Sequence, residues 1–386
     1  MQERIPAVLM RGGTSKGLFF HSRHLPSDPE ARKALILRAY GSPDPYRRQT
    51  DGLGGGIATA SKVAIIGPSD DPAYDVEYNF GQVAIDRPHV EFNGGCGNIS
   101  SGVGPFAIDE GLVNGSEPVT TVRILQKNTG KLVIAEVPVR QGRFEEDGEY
   151  AIAGVPGTGS KIVLRFVDPG GAVTGKLFPT GNPCDLLQVG SLGTVPVTIM
   201  DAANPVVFVQ AARIGLMGAE IDEIDADPAV RSKLEAIRSH AAVLMGLAST
   251  PGEASFAVQS VPKMAMVAPA KTYRTTGGNT IEGSQFNLLV RIMCMGALHR
   301  SYGVTGAICT AGAASMEGTV VHEVLGGPML ENRVLILGHP GGTIEIGVLL
   351  RKESQGWVYR EAAVCRTARR LMEGHVLVPR KHRPEA

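Results

Sequence analysis

Aromatic side chains and unbalanced charge are both scarce in this sequence. Phe, Trp and Tyr make up 5% of the 386 residues, Trp357 is the one tryptophan, and the formal net charge is zero. A chain without a basic excess has no overall field to hold nucleic acid or an anionic membrane. No run of about 18 apolar residues occurs, and residues 1–10 lack the pattern of a signal peptide. We therefore expect a cytoplasmic protein whose partner is a small molecule, with neither nucleic acid nor membrane; whether it forms a homo-oligomer stays open.

Cysteine is rare as well, with five residues at wide spacings. An odd number of widely spaced cysteines favours reduced thiols over a disulfide framework. The chain also contains no CxxC pair, no HExxH motif and no cluster of His and Asp, the patterns that indicate metal sites. We therefore predict no metal. The cysteines are Cys96, Cys184, Cys294, Cys309 and Cys365.

Glycine is abundant, and β-branched residues occur in short runs between turn signals. The 49 glycines, with Val, Ile and Thr in runs of a few residues, indicate a sheet-rich chain with many tight turns. In the first half we predict a helix at 29–40, after a Ser-Asp-Pro start, and another at 98–112, opened by Asn98. The predicted strands of that half are 5–10, 17–21, 62–67, 75–86, 121–126, 131–139 and 161–166.

The second half repeats this order loosely, which suggests a duplication. Residues 195–211 stand where the first strands stood, 258–269 match a later pair of strands, and 303–316 form another helix of small residues. An amphipathic helix predicted at 227–248 has no counterpart in the first half. Further strands are predicted at 333–342 and 343–351.

Length and repeat together predict two domains. At roughly 150 residues per domain, 386 residues fit two domains better than one core. The boundary falls in the Gly/Pro-rich segment 168–183, so that the domains are 1–183 and 184–386. An α+β architecture follows, in which each domain folds a sheet around one central helix and a cleft lies between the domains.

The sharpest local pattern is Asn-Gly-Gly-Cys-Gly-Asn at 93–98, which sets Cys96 between glycines at the start of a predicted helix. Glycines let the backbone approach a ligand, and the free N–H groups at a helix N-terminus attract an anion and stabilise a thiolate. Cys96 can therefore donate or accept a proton near neutral pH. The alternative is a small residue packed beneath a turn, because free cysteines are often buried.

Lys62 heads an apolar strand soon after the glycine-rich loop 54–56. Partial desolvation at such a position favours an uncharged amine, which can act as a base. The alternative is a solvated lysine at a strand end, because lysines are rarely buried without a partner. Spacing alone does not place Lys62 beside Cys96.

Two further segments carry candidate contacts to a carboxylate. The loop Arg-Gly-Gly-Thr-Ser-Lys-Gly at 11–17 resembles a phosphate loop in composition only, because its glycines come early and a β-type run follows. Either the hydroxyls of Thr14 and Ser15 hold a carboxylate together with backbone N–H groups, or the loop is an ordinary hairpin turn. His339, in a turn with glycines on both sides, either contacts a substrate or braces that turn.

These residues lie in motifs that resemble the PrpF-type isomerase family, which includes 2-methylaconitate cis-trans isomerase, 3-methylitaconate Δ-isomerase and 4-oxalomesaconate tautomerase. The order of the motifs is specific for the family and runs nearly end to end. The resemblance implies a diaminopimelate-epimerase-like fold, with two similar domains, each a sheet or barrel around a helix, and a site in the cleft. It also implies neither metal nor organic cofactor. The matching segments are MRGGTSKG (10–17), TDGLGGG (50–56), SKVAII (61–66), GGCGNISSGVGPFAIDEGLV (94–113), PTGNP (179–183), VTGAICTA (304–311), EGTVV (317–321) and GHPGG (338–342).

The resemblance implies roles for individual residues too. The family's two proton-transfer residues, a lysine and a cysteine, map onto Lys62 in SKVAII and Cys96 in GGCGN. Related epimerases have a second cysteine at the helix start of the other domain, and its counterpart here falls near Gly303, which disfavours a symmetric two-thiol epimerisation. At three positions this chain has glycine where the family usually has another residue: Gly56 replaces a polar or acidic residue, Gly95 replaces Asn, and Gly341 replaces Ser. These differences bear on substrate preference.

We therefore expect a cofactor-independent isomerase that moves a proton along a small unsaturated di- or tricarboxylate. Lys62 removes an allylic proton and Cys96 returns one at the far end of the allyl unit, which shifts the double bond or permits cis–trans exchange. Thr14, Ser15 and His339 help the N–H groups of two helix starts to hold the carboxylates. Two other functions stay open: a racemase or epimerase acting α to a carboxylate, and a non-catalytic accessory protein of a carboxylate pathway. The helix-start residues are Gly97, Asn98, Thr305 and Gly306.

Overall fold

The structure is a computed structural model that describes residues 2–327, 332–354 and 356–379. Strands account for most of its regular secondary structure. Within these residues the strands are β1 (Gln2–Gly12), β2 (Ser15–His21), β3 (Lys62–Pro68), β4 (Val76–Val83), β5 (Val90–Glu91), β6 (Val119–Gln126), β7 (Lys131–Arg140), β8 (Arg143–Phe144), β9 (Ile162–Val167), β10 (Asp185–Val189), β11 (Gly193–Ala202), β12 (Asn204–Gln210), β13 (Lys263–Pro269), β14 (Tyr273–Arg274), β15 (Thr280–Ile281), β16 (Leu288–Cys294), β17 (Ala297–Leu298), β18 (Asn332–His339), β19 (Gly342–Glu353), β20 (Gly356–Arg366) and β21 (Ala368–Pro379). The helices are α1 (Pro29–Tyr40), α2 (Gly97–Asp109), α3 (Asp222–Ala226), α4 (Pro228–Leu244), α5 (Pro251–Ala257), α6 (Val304–Ala314) and α7 (Val320–Leu325).

Two buried helices organise the two halves of the chain. Every residue of α6 is buried, and so is every residue of α2 as far as Ile108. A helix without a polar face has to be enclosed, and its small residues let the strands come close. A Cβ on Gly102 would lie 2.8 Å from the ring of Phe19, and one on Gly312 would lie 2.6 Å from the ring of Tyr359. A sheet wrapped around a central helix in each half confirms the predicted α+β fold.

The strand pairings of the first half recur in the second. β1 and β2 are antiparallel, β2 lies parallel to β3, and β3 is antiparallel to β4. β11, β12, β13 and β16 repeat these three pairings in the same order. β4, β6 and β7 are then matched by β16, β18 and β19, with a parallel pair followed by an antiparallel one. The duplication that the sequence suggests is therefore present in the topology.

Strand pairs also connect the two halves. Leu164 of β9 pairs with Val364 of β20, and Ile5 of β1 pairs with Val376 of β21. β21 therefore belongs to the sheet of the first half, although it lies beyond the boundary predicted at residues 183 and 184. The division into 1–183 and 184–386 stays a prediction, and residues 380–386 lie outside the described residues.

The outer face of each sheet carries a helix at the same point of the repeat. α1 lies between β2 and β3 in sequence, and α4 lies between β12 and β13. α1 packs its buried residues against the first-half strands, and α4 packs against the second-half strands. The expectation that the amphipathic helix at 227–248 has no counterpart is therefore wrong, because α1 is that counterpart.

Local signals determine where the helices and strands begin. The Asp28 carboxylate accepts a hydrogen bond from the Ala31 N–H at 2.7 Å, and Gly41 ends α1 with a φ of 69°, so the predicted bounds of α1 are confirmed. The prediction of a strand pair at 258–269 is wrong, because that segment contains only β13, which starts after Pro262. Proline has no N–H for a strand ladder.

Within the described ranges no helix is long and apolar enough to cross a bilayer.

Candidate active site

A cavity between the two halves brings Lys62 and Cys96 together. Its volume is about 30 Å³ when only the space open to the centre of a water-sized sphere is counted, and about 460 Å³ when all empty space including open solvent is counted. None of the described residues that line it is Asp or Glu, so the lining carries no negative side chain to repel a carboxylate. The first half contributes Ser15, Lys62, Phe80, Gln82, Gly94, Gly95, Cys96 and Asn98, and the second contributes Asn204, Ser260, Lys263, Cys294, His299, Gly303, Val304 and Thr305.

Lys62 is the first residue of β3, and its surroundings hold both its backbone and its side chain. The Tyr40 hydroxyl accepts a hydrogen bond from the Leu18 N–H at 2.9 Å and donates one to the Lys62 carbonyl. Lys62 Nζ donates to Gln82 Oε1 at 2.8 Å and lies 5.1 Å from the centre of the Phe80 ring. Among the described residues Lys62 makes no ion pair, so a bound anion has no internal carboxylate to displace.

Gln82 orients the Lys62 amine through its own hydrogen bonds. Gln82 Nε2 donates to the carbonyls of Ala58 and Ser61, at 3.1 and 3.0 Å. Because the amide nitrogen is engaged by two acceptors, the amide oxygen faces Lys62. Lys62 and Gln82 are also directly paired residues of β3 and β4. The sheet therefore sets the direction of the amine towards the cavity.

Cys96 occupies the residue before α2, as the glycine-flanked pattern predicts. Its backbone is extended, its side chain makes no capping hydrogen bond, and its carbonyl accepts the Ser100 N–H at 2.9 Å. The thiol is half-buried at the cavity wall. A glycine is required two residues before Cys96 by close packing, because a Cβ on Gly94 would lie 2.5 Å from Asn204 Oδ1 of the second half.

The N-termini of α2 and α6 meet at this cavity. Cys96 and Gly303 are the corresponding residues before the two helices, and neither helix has a side-chain cap at that residue. First-turn N–H groups without a side-chain cap are available to bind an anion. Gly303 carries no thiol at the position that corresponds to Cys96, as predicted. The site therefore has two helix N-termini without side-chain caps but one helix-start cysteine.

Ser15 and Thr14 have different surroundings. Ser15 is buried in the cavity wall, and within the described residues its hydroxyl has no hydrogen-bond partner. Thr14 Oγ1 instead accepts hydrogen bonds from Asn98 Nδ2 and from Ser301 Oγ, both at 3.0 Å. Ser15 is thus free to donate to a ligand, whereas Thr14 connects the two halves just outside the lining.

The other five residues predicted to bind substrate differ in their surroundings. Asn98 and Thr305 line the cavity, whereas Gly97 and Gly306 lie in the first helical turns and outside the lining. His339 does not line the cavity either. It is 2% exposed, and its Nδ1 accepts the Gly341 N–H at 3.1 Å. Its position matches the alternative prediction, in which His339 braces the turn.

His299 is the histidine at the cavity, and the sequence analysis missed it. Burial first, and then the charges of Lys62 and Lys263, lower the pKa of His299 to about 3. The ring is therefore neutral at physiological pH. Because its Nδ1 accepts the Ser301 N–H at 3.2 Å, we assign the ring proton to Nε2. A neutral imidazole of this kind can donate a hydrogen bond to a developing oxyanion.

Lys263 and Cys294 were also missed, although a signal for Lys263 exists in the sequence. Ser-Lys-Val-Ala-Ile-Ile-Gly-Pro at 61–68 and Pro-Lys-Met-Ala-Met-Val-Ala-Pro at 262–269 align lysine with lysine. The two segments are β3 and β13 with the residue before each. Comparing the halves position by position would have found this second lysine.

In the part of the chain that the structure describes, no group of three or more His, Cys, Asp or Glu could hold a metal ion.

Comparison with solved structures defines the class of the fold. The crystal structure of a hydroxyproline epimerase from Agrobacterium vitis matches with a TM-score of 0.55 at 13% identity, covering 97% of this chain and 92% of that one. The crystal structure of a methylitaconate-delta-isomerase matches with a TM-score of 0.79 at 44% identity and covers 100% of both chains. The protein therefore has a diaminopimelate-epimerase-like fold, with a lysine and a cysteine at the cavity between its halves.

Sequence comparison then identifies the family. The family described as PrpF protein matches residues 2–379, and the chain belongs to this family. The 3-methylitaconate isomerase of Eubacterium barkeri is 46% identical over 379 residues, and the 2-methyl-aconitate isomerase of Shewanella oneidensis is 40% identical over 391 residues; each comparison covers 98% of both chains. The (4E)-oxalomesaconate Delta-isomerase of a Novosphingobium species is 40% identical over 374 residues, 97% of both chains. These relatives place the chain among the isomerases.

Proposed function

We propose that this protein moves a proton along a small unsaturated di- or tricarboxylate of the methylitaconate, methylaconitate or oxalomesaconate type, and that Lys62 and Cys96 carry the proton. The observation that carries the proposal is that Lys62 and Cys96 line one cavity whose described lining has no carboxylate. The names of the relatives supply the substrate class. The scheme uses side chains and backbone groups of this chain only, so we propose that no cofactor takes part.

The proton transfer begins with Lys62 in its unprotonated form. The amine takes the allylic proton, the electron pair of that C–H bond forms a new double bond, and the original π pair moves towards the conjugated carboxylate. Cys96 then gives its thiol proton to the far carbon of the allyl unit, which leaves a thiolate and an ammonium group. Proton exchange between these two groups restores the starting state.

Hydrogen-bond donors are needed where negative charge accumulates in this scheme. The first-turn N–H groups of α2 and α6, the hydroxyl of Ser15 and the neutral ring of His299 are the donors at the cavity. Preorganised donors of this kind stabilise an oxyanion strongly in a site that excludes water. Because the intermediate has single-bond character where the double bond was, rotation there also gives cis–trans exchange.

Two observations bear on the alternatives. A symmetric two-thiol epimerase is disfavoured, because Gly303 stands at the position that corresponds to Cys96. A non-catalytic accessory protein is disfavoured as well, because the described lining holds both Lys62 and Cys96. We also propose a cytoplasmic location. All five cysteines are free thiols, which fits a reducing compartment.

An NMR experiment in deuterated water tests the proposal. The wild type is incubated with 3-methylitaconate, 2-methylaconitate and oxalomesaconate in turn, and vinyl shifts and deuterium uptake are followed together. We expect a change in double-bond position or geometry for at least one of them, with turnover reduced about 100- to 10,000-fold in Lys62→Met and Cys96→Ala. The matched controls are the exposed Lys176→Met and Cys184→Ala, a thiol outside the cavity lining.

The outcomes separate the candidate functions. Deuterium uptake without alkene migration would support the epimerase instead. Wild-type rates in either cavity variant would contradict the assignment of Lys62 and Cys96. A wild type that converts none of the unsaturated acids would contradict the proposed function.

A further inference from the structure

The duplication places Lys263 in the second half where Lys62 stands in the first. Lys62 and Lys263 each begin a strand that lies parallel to the second strand of a hairpin, with Gly17 facing Lys62 and Val206 facing Lys263. Each amine reaches a side chain of the next, antiparallel strand. Lys62 Nζ bonds to Gln82, and Lys263 Nζ bonds to the Cys294 thiol. Both lysines line the cavity.

The contacts of the two amines differ in strength. Lys62 Nζ lies 2.8 Å from Gln82 Oε1, a short hydrogen bond to an amide that is itself held in place. Lys263 Nζ lies 3.9 Å from Cys294 Sγ, a weak acceptor, and 3.4 Å from the Ser260 carbonyl, so both contacts are long. Lys263 is half-buried and, within the described residues, makes no ion pair. A half-buried ammonium group whose contacts are long is stabilised when an anion binds beside it and accepts its hydrogen bonds.

The helix start near Lys263 also differs from the helix start near Lys62. Lys62 shares the cavity with Cys96 at the start of α2, whereas the residue before α6 is Gly303. The second half therefore lacks the thiol that completes a proton-transfer pair at the helix start. It keeps the cation and the free N–H groups of a helix end, and these are the parts of an anion site.

We propose that Lys263 anchors the substrate through its second carboxylate, the one that does not conjugate with the reacting double bond. The proposal rests on the proposed function, which gives the substrate at least two carboxylates. Lys263 and the N-terminus of α6 bind one carboxylate, and Ser15 and the N-terminus of α2 bind the other. The carbon chain between them is then held across Lys62 and Cys96. Lys263 sets affinity and alignment, and Lys62 with Cys96 performs the proton transfer.

Direct binding of a saturated dicarboxylate tests this role without any turnover. Calorimetry measures the Kd of 2-methylsuccinate, and of 2-methylbutyrate as the monocarboxylate control, for the wild type and for Lys263→Gln, Lys263→Met and Lys263→Arg. Loss of one charge-assisted contact weakens 2-methylsuccinate binding by about 10- to 100-fold in the Gln and Met variants. The Arg variant recovers part of the affinity, because the positive charge remains. Binding of 2-methylbutyrate changes by less than about threefold between the wild type and the Gln variant.

Steady-state kinetics on the unsaturated acid that the wild type converts fastest gives the second readout. We expect KM to rise with the Kd of 2-methylsuccinate while kcat stays within about tenfold. The control Lys271→Met removes an exposed lysine of the same half and leaves both values unchanged. Thermal melting identifies variants that fail to fold, and Lys263→Arg and Lys263→Gln keep the test available if Lys263→Met does not fold.

The results that would overturn the inference differ from those that would overturn the proposed function. Unchanged 2-methylsuccinate affinity in Lys263→Gln and Lys263→Met, or a loss of kcat without a loss of affinity, overturns the anchoring role, and the second result assigns Lys263 to proton transfer. A wild type that does not bind 2-methylsuccinate also overturns it. A wild type that binds 2-methylsuccinate but converts no unsaturated acid contradicts only the proposed reaction, since the effect of Lys263 on binding is still measured.

Discussion

Gly97 at the start of α2 packs directly against Val304 at the start of α6. A Cβ on Gly97 would lie 2.5 Å from Val304 Cγ1 and 2.7 Å from Val304 Cβ. These atoms belong to a branched side chain near its backbone, so they have little room to give way. Contact between the two helix starts depends on the absence of a side chain at Gly97.

Gly97→Ala should therefore push the two helix starts apart. We expect a loss of about 1–3 kcal/mol in the free energy of unfolding, because the added methyl group overpacks a closed contact. The matched variant is Gly303→Ala, where an added Cβ meets nothing within 4 Å. Denaturant unfolding of both variants measures the difference. Equal stability of the two would show that the contact between α2 and α6 is not tight.

Tyr40→Phe removes the hydroxyl that connects Leu18 to Lys62. The Leu18 N–H then loses its acceptor in the core, which costs about 1–3 kcal/mol of stability. The Lys62 carbonyl also loses its donor, and we expect kcat to fall while KM changes little. The control is Tyr46→Phe, because Tyr46 is 83% exposed. A purely structural role for Tyr40 would lower stability and leave kcat unchanged.

Gln82→Glu places a negative charge at the group that orients Lys62. The carboxylate stabilises the ammonium form of the lysine, so more alkaline solution is needed to free the amine that acts as base. We expect the acidic limb of the pH dependence of kcat/KM to move to higher pH, whereas Gln82→Leu should lower kcat and leave that limb near its wild-type position. Rates measured between pH 6 and pH 10 decide between these outcomes. An unchanged profile in Gln82→Glu argues against Lys62 as the base.

The buried histidines predict how stability depends on pH. Burial first, and then the charge of Arg366 and the neighbouring His299, lower the pKa of His339 to about 3. The unfolded chain, with an ordinary histidine pKa of about 6.5, therefore binds a proton that the folded chain does not bind. Stability is complete above pH 6.5 and decreases as the pH falls towards 3, by up to about 1.4 kcal/mol per pH unit for each such histidine.

Unfolding by denaturant at several values between pH 5 and pH 7 checks this dependence. The variant His339→Asn keeps an acceptor for the Gly341 N–H but cannot titrate, so its stability should depend less on pH than that of the wild type. His339 is the better choice for the test because it does not line the cavity. Equal slopes for both proteins would mean that His339 is protonated in the folded state.

Some elements were predictable from sequence because their signals are local. The predicted bounds of α1 were correct because Asp28, Pro29 and Gly41 mark its two ends. β21 was missed for the opposite reason. Most of its side chains between Arg369 and His375 are exposed, so it lacks a buried face with alternating apolar residues. What makes 368–379 a strand is its pairing with β1, which is distant in sequence.

The candidate site follows the same rule. Cys96 carries its signal in adjacent glycines, and Lys62 carries its signal in its place at the head of an apolar strand. The family motif supported both residues, but no spacing between the two could show that they share a cavity. That proximity arises from β3 beginning beside β2, and from α2 starting where the chain returns from β4 and β5. His299 and Lys263 come from the other half of the molecule, and their positions depend on how the halves pack.

The pairing of β1 with β21 has a consequence for how the protein is made. Ile5 emerges from the ribosome early, and its partner Val376 emerges only after almost all of the other described residues. The edge of β1 that pairs with β21 therefore stays open until β21 has been synthesised. Contacts this distant in sequence slow folding, and unpaired edges favour aggregation. We expect the pairing of β1 with β21 to be a late step in the formation of the first-half sheet.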